Sequence, residues 1–190
     1  MAYIADHIAK DPDAKKWILM AGPSSSGKTT FAKRLAIQLR VNGFQPVTIS
    51  VDNYFVDREK SPRNENGNID FEAIENIDLQ LLNEHVCQLD QRKTVDLPHF
   101  NFETGKREYN GRTLQVAKDQ LVMMEGIHCL NPRLMPDLPA KHTYKIYISA
   151  LTQLNLDFYN RIPTTDNRLI RQLVRDHQFR GYSALDTLKM

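Results

Sequence analysis

The chain has 190 residues, of which 41% are hydrophobic and 25% charged, close to the averages for globular domains. Its 25 basic and 23 acidic residues nearly cancel, which argues against nucleic acid as a partner. No apolar run approaches the roughly 18 residues of a membrane span, and the charged N-terminal stretch lacks the apolar core of a signal peptide. The composition therefore predicts one globular domain in the cytoplasm, without a membrane partner.

The predicted elements begin with an unassigned N-terminal segment. Residues 1–16 are an N-terminal extension, either a helix or the remnant of a linker. The apolar run Trp17–Ala21 predicts a buried strand, and the spacing of apolar residues over 29–40 predicts a helix that ends at Gly43. Residues 46–51, β-branched and apolar, predict a second strand.

Further along the chain, helices and strands continue to alternate. Residues 62–70, PRNENGNID, have the composition of a loop. The next helix is predicted from one apolar face, and two later apolar runs at 119–126 and 143–149 predict buried strands. The residues on that helical face are Leu79, Leu82, Val86 and Leu89. Cys87 and Cys129 have no metal-ligand spacing and are expected to be reduced, buried thiols.

The stretch GPSSSGKTT, residues 22–30, lies between the first predicted strand and the first predicted helix. It fits the pattern G-x-x-x-x-G-K-[ST], which predicts a P-loop that binds a nucleoside triphosphate. Glycines let successive backbone N–H groups point at phosphate oxygens, Lys28 reaches the β- and γ-phosphates, and the Thr29 hydroxyl binds Mg²⁺. We therefore expect ATP and Mg²⁺ as cofactors, with nucleotide contacts from Gly22, Ser24, Ser25, Ser26, Gly27, Lys28, Thr29 and Thr30.

Strands that alternate with helices predict an α/β fold with a mostly parallel sheet and helices on both faces. Together with the P-loop, this order predicts a P-loop nucleoside triphosphate hydrolase-like fold. Asp52 follows the second predicted strand, where open α/β sheets place ligand-binding groups. It is a candidate to accept a proton from an attacking hydroxyl or to lie near the metal. The alternative is an aspartate that opens a turn.

Two further features have a possible role at a phosphate site. Glu125 follows four apolar residues, and burying its charge is costly unless it is paired or near a metal, so it is a candidate Mg²⁺ group. Its alternative is a loop carboxylate facing solvent.

The spacing of Arg168, Arg171 and Arg175 places them on one helix face. They predict an arginine-rich lid near 161–181 that closes over the triphosphate, with a solvated basic face as the alternative.

Two classes of P-loop protein compete at this point. A nucleotide-hydrolysing switch of the GTPase type is expected to carry NKxD and DxxG motifs, and neither occurs in the sequence. A phosphotransferase needs a base, a second metal group, an acceptor pocket and a cationic lid, for which candidates are present. The rival that stays open is a nucleotide-binding or ATP-hydrolysing regulatory module of a larger protein.

The ordered motifs GPSSSGKTT, SVDNYF, FEAIENIDLQLL, LPHFNF, EGI and TTDNRLIRQLVRD resemble the uridine kinase and phosphoribulokinase family of P-loop kinases. The resemblance begins at Trp17 and is strongest to a uridine kinase-like branch that forms the C-terminal part of longer bacterial proteins. It implies a kinase domain over 17–190 that is truncated at its C-terminus. It also implies an ATP-dependent kinase with a small, nucleoside-like acceptor, and family members often assemble as homo-oligomers.

The resemblance also implies roles for individual residues. Asp52 falls on the catalytic base, which lies near the metal, and Thr29 and Glu125 fall on groups that hold Mg²⁺. Lys28 and Arg168 join Asp52 as catalytic residues, and Arg168, Arg171 and Arg175 fall on lid arginines that contact substrate and phosphates. The substrate-binding positions implied in this way are Tyr54, Glu72 with Asp70 as its alternative, Asn101, Arg107 and Arg168.

One segment departs from the uridine kinase pattern. The motif YDFxxHxR appears as FNFETGKR, so Asn101 replaces an acid and Gly105 replaces a histidine associated with the pyrimidine, while Arg107 is retained. These changes leave phosphoryl transfer intact, whereas the acceptor is either a nucleoside or another hydroxyl compound. A phosphoribulokinase-like sugar-phosphate kinase is a further alternative.

Overall fold

The computed structural model describes residues 1–10, 16–65, 67, 69–152 and 154–189. In chain order, the helices and strands of this part are α1 (Ala2–Ala9), β1 (Trp17–Ala21), α2 (Lys28–Val41), β2 (Val47–Ser50), α3 (Leu79–Asp90), β3 (Val95–Asn101), β4 (Lys106–Leu114), β5 (Val122–Glu125), β6 (Thr143–Tyr147), α4 (Thr164–Phe179) and α5 (Ala184–Lys189). Four strands form one parallel sheet in the order β2–β5–β1–β6. The predicted α/β fold and the four predicted strands of its sheet are confirmed. Strands β1 and β5 are buried along their whole length, whereas the edge strands β2 and β6 are partly exposed, which corrects the prediction that β6 is buried.

Helices cover both faces of this sheet, as the alternation of strands and helices predicts. Along β1, Trp17 and Leu19 pack with α3, whereas Ile18 and Met20 pack with α1 and α2. Successive residues of a strand point to opposite faces, so one fully buried strand supplies two hydrophobic cores. The parallel sheet is therefore covered by helices on both faces.

Helix α2 begins directly at the P-loop, with Gly27 as its N-cap in the left-handed region (φ 94°). It ends where the sequence predicts. Gly43 has a φ of +88°, its N–H donates to the carbonyl of Arg40, and the N–H of Phe44 donates to the carbonyl of Leu39. These bonds satisfy carbonyls of the last turn, which otherwise lack partners within the helix.

Strands β3 and β4 form an antiparallel hairpin that was not predicted from the sequence. Strand β4 is exposed along most of its length, and its sequence KREYNGRTL has no run of apolar residues. In β3, by contrast, Phe100 is buried and packs edge-on against Phe102 and Phe55, with ring centroids 5.0 and 5.5 Å away. The hairpin therefore supplies an aromatic wall beside the sheet.

The N-terminal segment forms a helix, one of the two alternatives considered. Ala5 and Ile8 of α1 are buried and belong to the same core as α2. Residues 11–15, and residues 66 and 68 of the predicted loop, lie outside the described residues.

Cys129 is a buried free thiol as expected, but Cys87 is exposed, because its place on α3 faces solvent. In the described part of the chain, no helix combines the length and apolar character needed to cross a bilayer.

Candidate active site

The carboxyl ends of three adjacent parallel strands meet at one edge of the sheet. The P-loop follows β1, Asp52 follows β2, and Glu125 is the last residue of β5. In open α/β sheets this edge is where ligands bind. The fold therefore brings together residues that are about 100 positions apart in the sequence, and the site is built around this edge.

The P-loop is held in a tight turn by its backbone. Ser25 and Gly27 both have positive φ values, 59° and 94°. Gly22 packs so closely on the end of β6 that an added Cβ would lie 2.5 Å from the carbonyl oxygen of Ile148. The ammonium of Lys28 donates to the carbonyls of Gly22 and Pro23 at 2.8 and 3.1 Å, which ties the two ends of the loop together.

Several polar atoms around the P-loop are buried without a protein partner among the described residues. They include the hydroxyls of Ser25 and Ser26 and the Nε atom of Arg168. Buried polar groups are normally hydrogen-bonded, so donors orphaned around one concave loop indicate a place for a ligand rich in acceptors. Together with the N-terminus of α2, these donors fit the oxygens of a polyphosphate.

Glu125 accepts hydrogen bonds from the two hydroxyls that flank it. Thr29 Oγ1 donates to Glu125 Oε1 at 3.0 Å, and Ser50 Oγ donates to the same oxygen at 3.1 Å. The side chain is buried, with 7% of its surface exposed. The second oxygen is not used by these two bonds. The alternative of a carboxylate facing solvent is excluded by this burial.

The charges at this edge influence one another. Burial raises the pKa of the Glu125 carboxyl, and the negative charge of Asp52 raises it further, while the hydrogen bond from Thr29 acts in the opposite direction. Burial also lowers the pKa of the Lys28 ammonium, and the carboxylates of Asp52 and Glu125 counteract this effect. Desolvation disfavours the charged form in both cases.

Asp52 lies in a short 3₁₀ turn, Val51–Tyr54, that continues directly from β2. This turn directs its carboxylate into a cavity of about 320 Å³. The cavity is lined by both polar and aromatic side chains, among them Ser24, Asp52, Phe55, Arg58, Asp70, Phe71, Glu72, Phe100, Phe102, Arg168, Gln172, Arg175, Asp176 and Arg180. It therefore connects the P-loop, through Ser24, with the aromatic wall of the hairpin.

The three predicted lid arginines lie over the P-loop. Arg175 Nη1 donates to Ser24 Oγ at 2.8 Å, and Arg168 Nη2 lies 3.4 Å from the carbonyl oxygen of Ser24. Nη2 of Arg171 would be 3.4 Å from a Cβ placed on Gly27. The structure thus brings this face of α4 to the loop, which disfavours the alternative of a solvated basic face.

Two residues at the end of α4 belong to the site but were not among the predicted positions. Asp176 is 1% exposed, accepts a hydrogen bond from Nε of Arg175 at 2.8 Å, and lies 2.7 Å from Nη2 of the same guanidinium in an ion pair. Arg180 lies 3.7 Å from Asp176 and 3.9 Å from Asp52, and its guanidinium stacks over Phe102 at 4.2 Å. Arg180 is five positions after Arg175, so the helical spacing that identified the other arginines does not include it.

Three of the predicted substrate-binding residues do not line the cavity. Tyr54 is 1% exposed, and its hydroxyl pairs with Nδ1 of His85 at 3.1 Å in the core. Asn101 caps the hairpin turn by accepting from the backbone N–H groups of Glu103 and Thr104. Arg107 forms a salt bridge with Asp78 at 2.8 Å. Each of these side chains makes a structural contact in the chain, and its predicted contact with a substrate stays a prediction.

The other acceptor-side candidates do line the cavity. Asp70 and Glu72 lie on its wall, and Asp70 Oδ1 accepts from the backbone N–H of Glu72 at 3.0 Å. Arg58 lies against Gly105, where an added Cβ would come within 2.7 Å of its Nε atom. The missing side chain at Gly105 therefore leaves room for a guanidinium on the cavity wall.

The site offers only a small set of side chains that could bind a metal ion. Within the described residues, no group of three or more His, Cys, Asp or Glu side chains has the geometry to hold a metal ion. The donor set of Thr29, Glu125 and Asp52 nevertheless fits Mg²⁺, because this ion is bound through one or two carboxylates together with substrate phosphates and water. These residues could hold Mg²⁺ only together with a bound nucleotide.

A parallel α/β sheet, a glycine-rich turn after one of its inner strands and a Lys–Thr pair at the start of the next helix define a P-loop nucleotide-binding fold. The chain belongs to the phosphoribulokinase / uridine kinase family, whose sequence profile matches residues 17–189. The predicted family is thereby confirmed, and with it a kinase as the class of enzyme.

Individual relatives share about a quarter to a third of their residues with this chain. A uridine kinase from Ureaplasma parvum is 26% identical over 167 residues, which cover 87% of this chain and 71% of the relative. A uridine kinase from Lactobacillus helveticus is 28% identical over 164 residues, covering 86% and 69%. Inorganic pyrophosphatase TTM2 from Arabidopsis thaliana is 34% identical over 145 residues, but these cover only 19% of that protein.

Solved structures agree on the fold. A "putative fructose transport system kinase" from Silicibacter sp. TM1040 superimposes with a TM-score of 0.68 at 17% identity, covering 99% of this chain and 86% of that one. A "possible uridine kinase" from Bacillus stearothermophilus superimposes with a TM-score of 0.57 at 21% identity, covering 98% and 90%. Since both identities are low, these likenesses support the fold and carry no information about the acceptor.

Proposed function

We propose that this chain transfers the γ-phosphoryl group of ATP, with Mg²⁺, to a hydroxyl of a small molecule held in the cavity beside Asp52. The observation that carries this proposal is the position of Asp52. It lines a 320 Å³ cavity that also reaches the P-loop at Ser24. A site that only hydrolysed nucleotide would need no second, aromatic-walled compartment at this point.

The nucleotide side of the proposal is supported by the donors around the P-loop. When bound, Mg·ATP supplies the phosphoryl group and the charge that must be stabilised during transfer. Lys28, the orphaned hydroxyls of Ser25 and Ser26, and the lid arginines are positioned to bind its phosphates. Thr29 and Glu125 would hold Mg²⁺, and Glu125 orients the Thr29 hydroxyl.

On the acceptor side, Asp52 accepts the proton from the attacking hydroxyl in the proposed mechanism. Lys28, Arg168 and Arg175 stabilise the negative charge spread over the transferred group. The cavity positions the hydroxyl next to the phosphates, and such positioning supplies much of the catalysis in phosphoryl transfer. In the proposed mechanism α4 also limits the access of water, since Arg168 and Arg175 contact Ser24 of the P-loop.

A nucleoside is the acceptor class that we propose first. Phe55, Phe100 and Phe102 present aromatic rings to the cavity, which suit the apolar faces of a base. Asp70 and Glu72 place two carboxylates on the same wall, where they could accept hydrogen bonds from a ribose diol. Uridine kinases among the relatives support the same class.

The test is product analysis with ATP, Mg²⁺ and a panel of nucleosides and other hydroxyl compounds. The proposal predicts one phosphorylated acceptor formed for each ADP released. The rival, a regulatory module that only hydrolyses nucleotide, predicts ADP and inorganic phosphate whichever compound is present. Formation of inorganic phosphate alone, with every member of the panel recovered unchanged, would refute the transferase proposal.

A further inference from the structure

The buried carboxylate of Asp176 lies between the nucleotide side and the acceptor side of the site. It is 1% exposed, and charged side chains are rarely buried to this degree unless they are paired. Its partners are two arginines on the lid, Arg175 and Arg180. Each of these two guanidinium groups also contacts a second part of the site.

Arg175 connects Asp176 with the P-loop. Its Nε atom donates to Asp176 Oδ1 at 2.8 Å, and its Nη2 atom lies 2.7 Å from the same oxygen in an ion pair. Its remaining nitrogen, Nη1, donates to Ser24 Oγ at 2.8 Å. A guanidinium is a rigid planar fork, so fixing one edge of it fixes the direction of the other. Asp176 therefore determines where Arg175 presents its Nη1 group.

Arg180 connects Asp176 with the acceptor side. Its Nε atom is 3.7 Å from Asp176 Oδ1, while its Nη2 atom is 3.9 Å from Asp52 Oδ2. The same guanidinium stacks on the ring of Phe102 in the aromatic wall. The backbone reinforces this arrangement, since the N–H groups of Arg180 and Tyr182 both donate to the carbonyl of Asp176.

We propose that Asp176 is a positioning residue that holds Arg175 against the P-loop and Arg180 against Asp52, so that one carboxylate aligns both sides of the transfer site. This inference rests on the proposed function. Asp176 touches neither nucleotide nor acceptor in this account and acts only through the two arginines. Its contribution to nucleotide binding therefore requires Arg175 to be present.

That dependence is tested by a double-mutant cycle with Asp176→Asn and Arg175→Met. The readout is the dissociation constant of the magnesium complex of a non-hydrolysable ATP analogue, measured by titration calorimetry. We expect each single variant to bind about tenfold more weakly, which corresponds to about 1.4 kcal/mol. The double variant should bind within twofold of Arg175→Met alone, since without Arg175 the carboxylate has nothing to orient at the P-loop.

Two further variants separate positioning from charge and from folding. Arg175→Lys keeps the charge but lacks the fork, so positioning predicts that it binds as weakly as Arg175→Met. Asp166→Asn makes the same chemical change at an exposed position in the first turn of α4, and it should bind like the wild type. Thermal melting of each variant shows whether a loss of affinity accompanies unfolding.

The possible outcomes are distinct. Losses that multiply in the double variant, or an Arg175→Lys variant that binds like the wild type, would overturn the positioning role and leave the proposed kinase function standing. Failure of the wild type itself to bind the magnesium–analogue complex would instead remove the proposed function, and the inference with it. An Asp176→Asn variant that does not fold leaves the Arg175→Lys comparison to decide.

Discussion

At the scale of single residues, the P-loop could be predicted, whereas the directions of several other side chains could not. The P-loop residues are consecutive, so one local pattern specifies both their identity and their geometry. Tyr54, in contrast, lies two positions after Asp52, yet the 3₁₀ turn directs Asp52 into the cavity and Tyr54 into the core against His85. A motif gives positions along a chain, and the direction of each side chain depends on distant partners.

The burial of Asp176 is a second feature that its neighbours in the sequence do not determine. Its sequence context, RDHQFR, is mostly polar and charged, but the carboxylate is buried and paired with two arginines. No local pattern predicts this burial, because it depends on arginines that also reach the P-loop, Asp52 and the ring of Phe102. Such pairs become visible only when the elements are placed together.

Glu125→Gln should raise thermal stability near neutral pH while lowering activity. The folded chain raises the pKa of Glu125, chiefly through burial, so the ionised form destabilises the folded state. Glutamine keeps an oxygen that can accept from Thr29 and Ser50 but carries no charge. By analogy with other groups that support a metal ligand, turnover should fall about 10- to 100-fold.

The destabilisation caused by the charge of Glu125 depends on pH. Below the carboxyl pKa of the unfolded chain Glu125 is protonated in both states and causes no destabilisation. The destabilisation then grows as pH rises through the higher pKa of the folded chain. The melting temperature of Glu125→Gln should therefore exceed that of the wild type at neutral pH and approach it in acid, as measured by calorimetry. Glu84→Gln, at an exposed position of α3, is the control, and a lower melting temperature for Glu125→Gln at pH 7 would contradict the account.

At the scale of elements, buried strands were predictable and the hairpin was not. The central strands β1 and β5 are buried along their whole length because helices cover both faces, and the edge strands β2 and β6 each bury an isoleucine. Strand β4 has mostly exposed polar residues, so neither an apolar run nor a clean alternation marks it. Its pairing with β3 depends on the turn around Gly105 and on packing against Arg58, both of which are features of the folded chain.

Gly105→Ala should destabilise the chain more than Gly111→Ala. Both glycines have a φ near +70°, so alanine is strained at either position, at about 1–2 kcal/mol. Only at Gly105 would the new Cβ collide with Arg58, whereas nothing lies within 4 Å of a Cβ at Gly111. We expect the extra loss at Gly105 to be about 1–3 kcal/mol, as for other overpacked sites.

Urea unfolding of both variants measures this difference. Gly111→Ala is the matched control, since it carries the same backbone strain on the same hairpin without the collision. Equal losses at the two positions would show that Arg58 does not fix the conformation of the turn. A larger loss at Gly105 supports the assignment of Arg58 to the cavity wall.

At the scale of the whole molecule, the site depends on topology. Three neighbouring strands end at the P-loop, Asp52 and Glu125, while α4 returns from the far end of the described chain to lie over them. The family profile spans this arrangement from residue 17 to residue 189. The alternation of the four sheet strands with helices could be predicted from the sequence, but the meeting of α4, the hairpin and the P-loop around one cavity required the fold.

The central claim is that the nucleotide and an acceptor hydroxyl meet at Asp52. Its most direct test is phosphoryl transfer by Asp52→Asn, measured as phosphorylated acceptor formed per unit time, together with the affinity for the magnesium complex of a non-hydrolysable ATP analogue. We predict a loss in transfer of about 10²–10⁴-fold, the range for a general base, with nucleotide affinity within a few-fold of the wild type. Asp96→Asn, at an exposed position of β3, should change neither quantity. An Asp52→Asn variant that transfers phosphate at the wild-type rate would contradict the account.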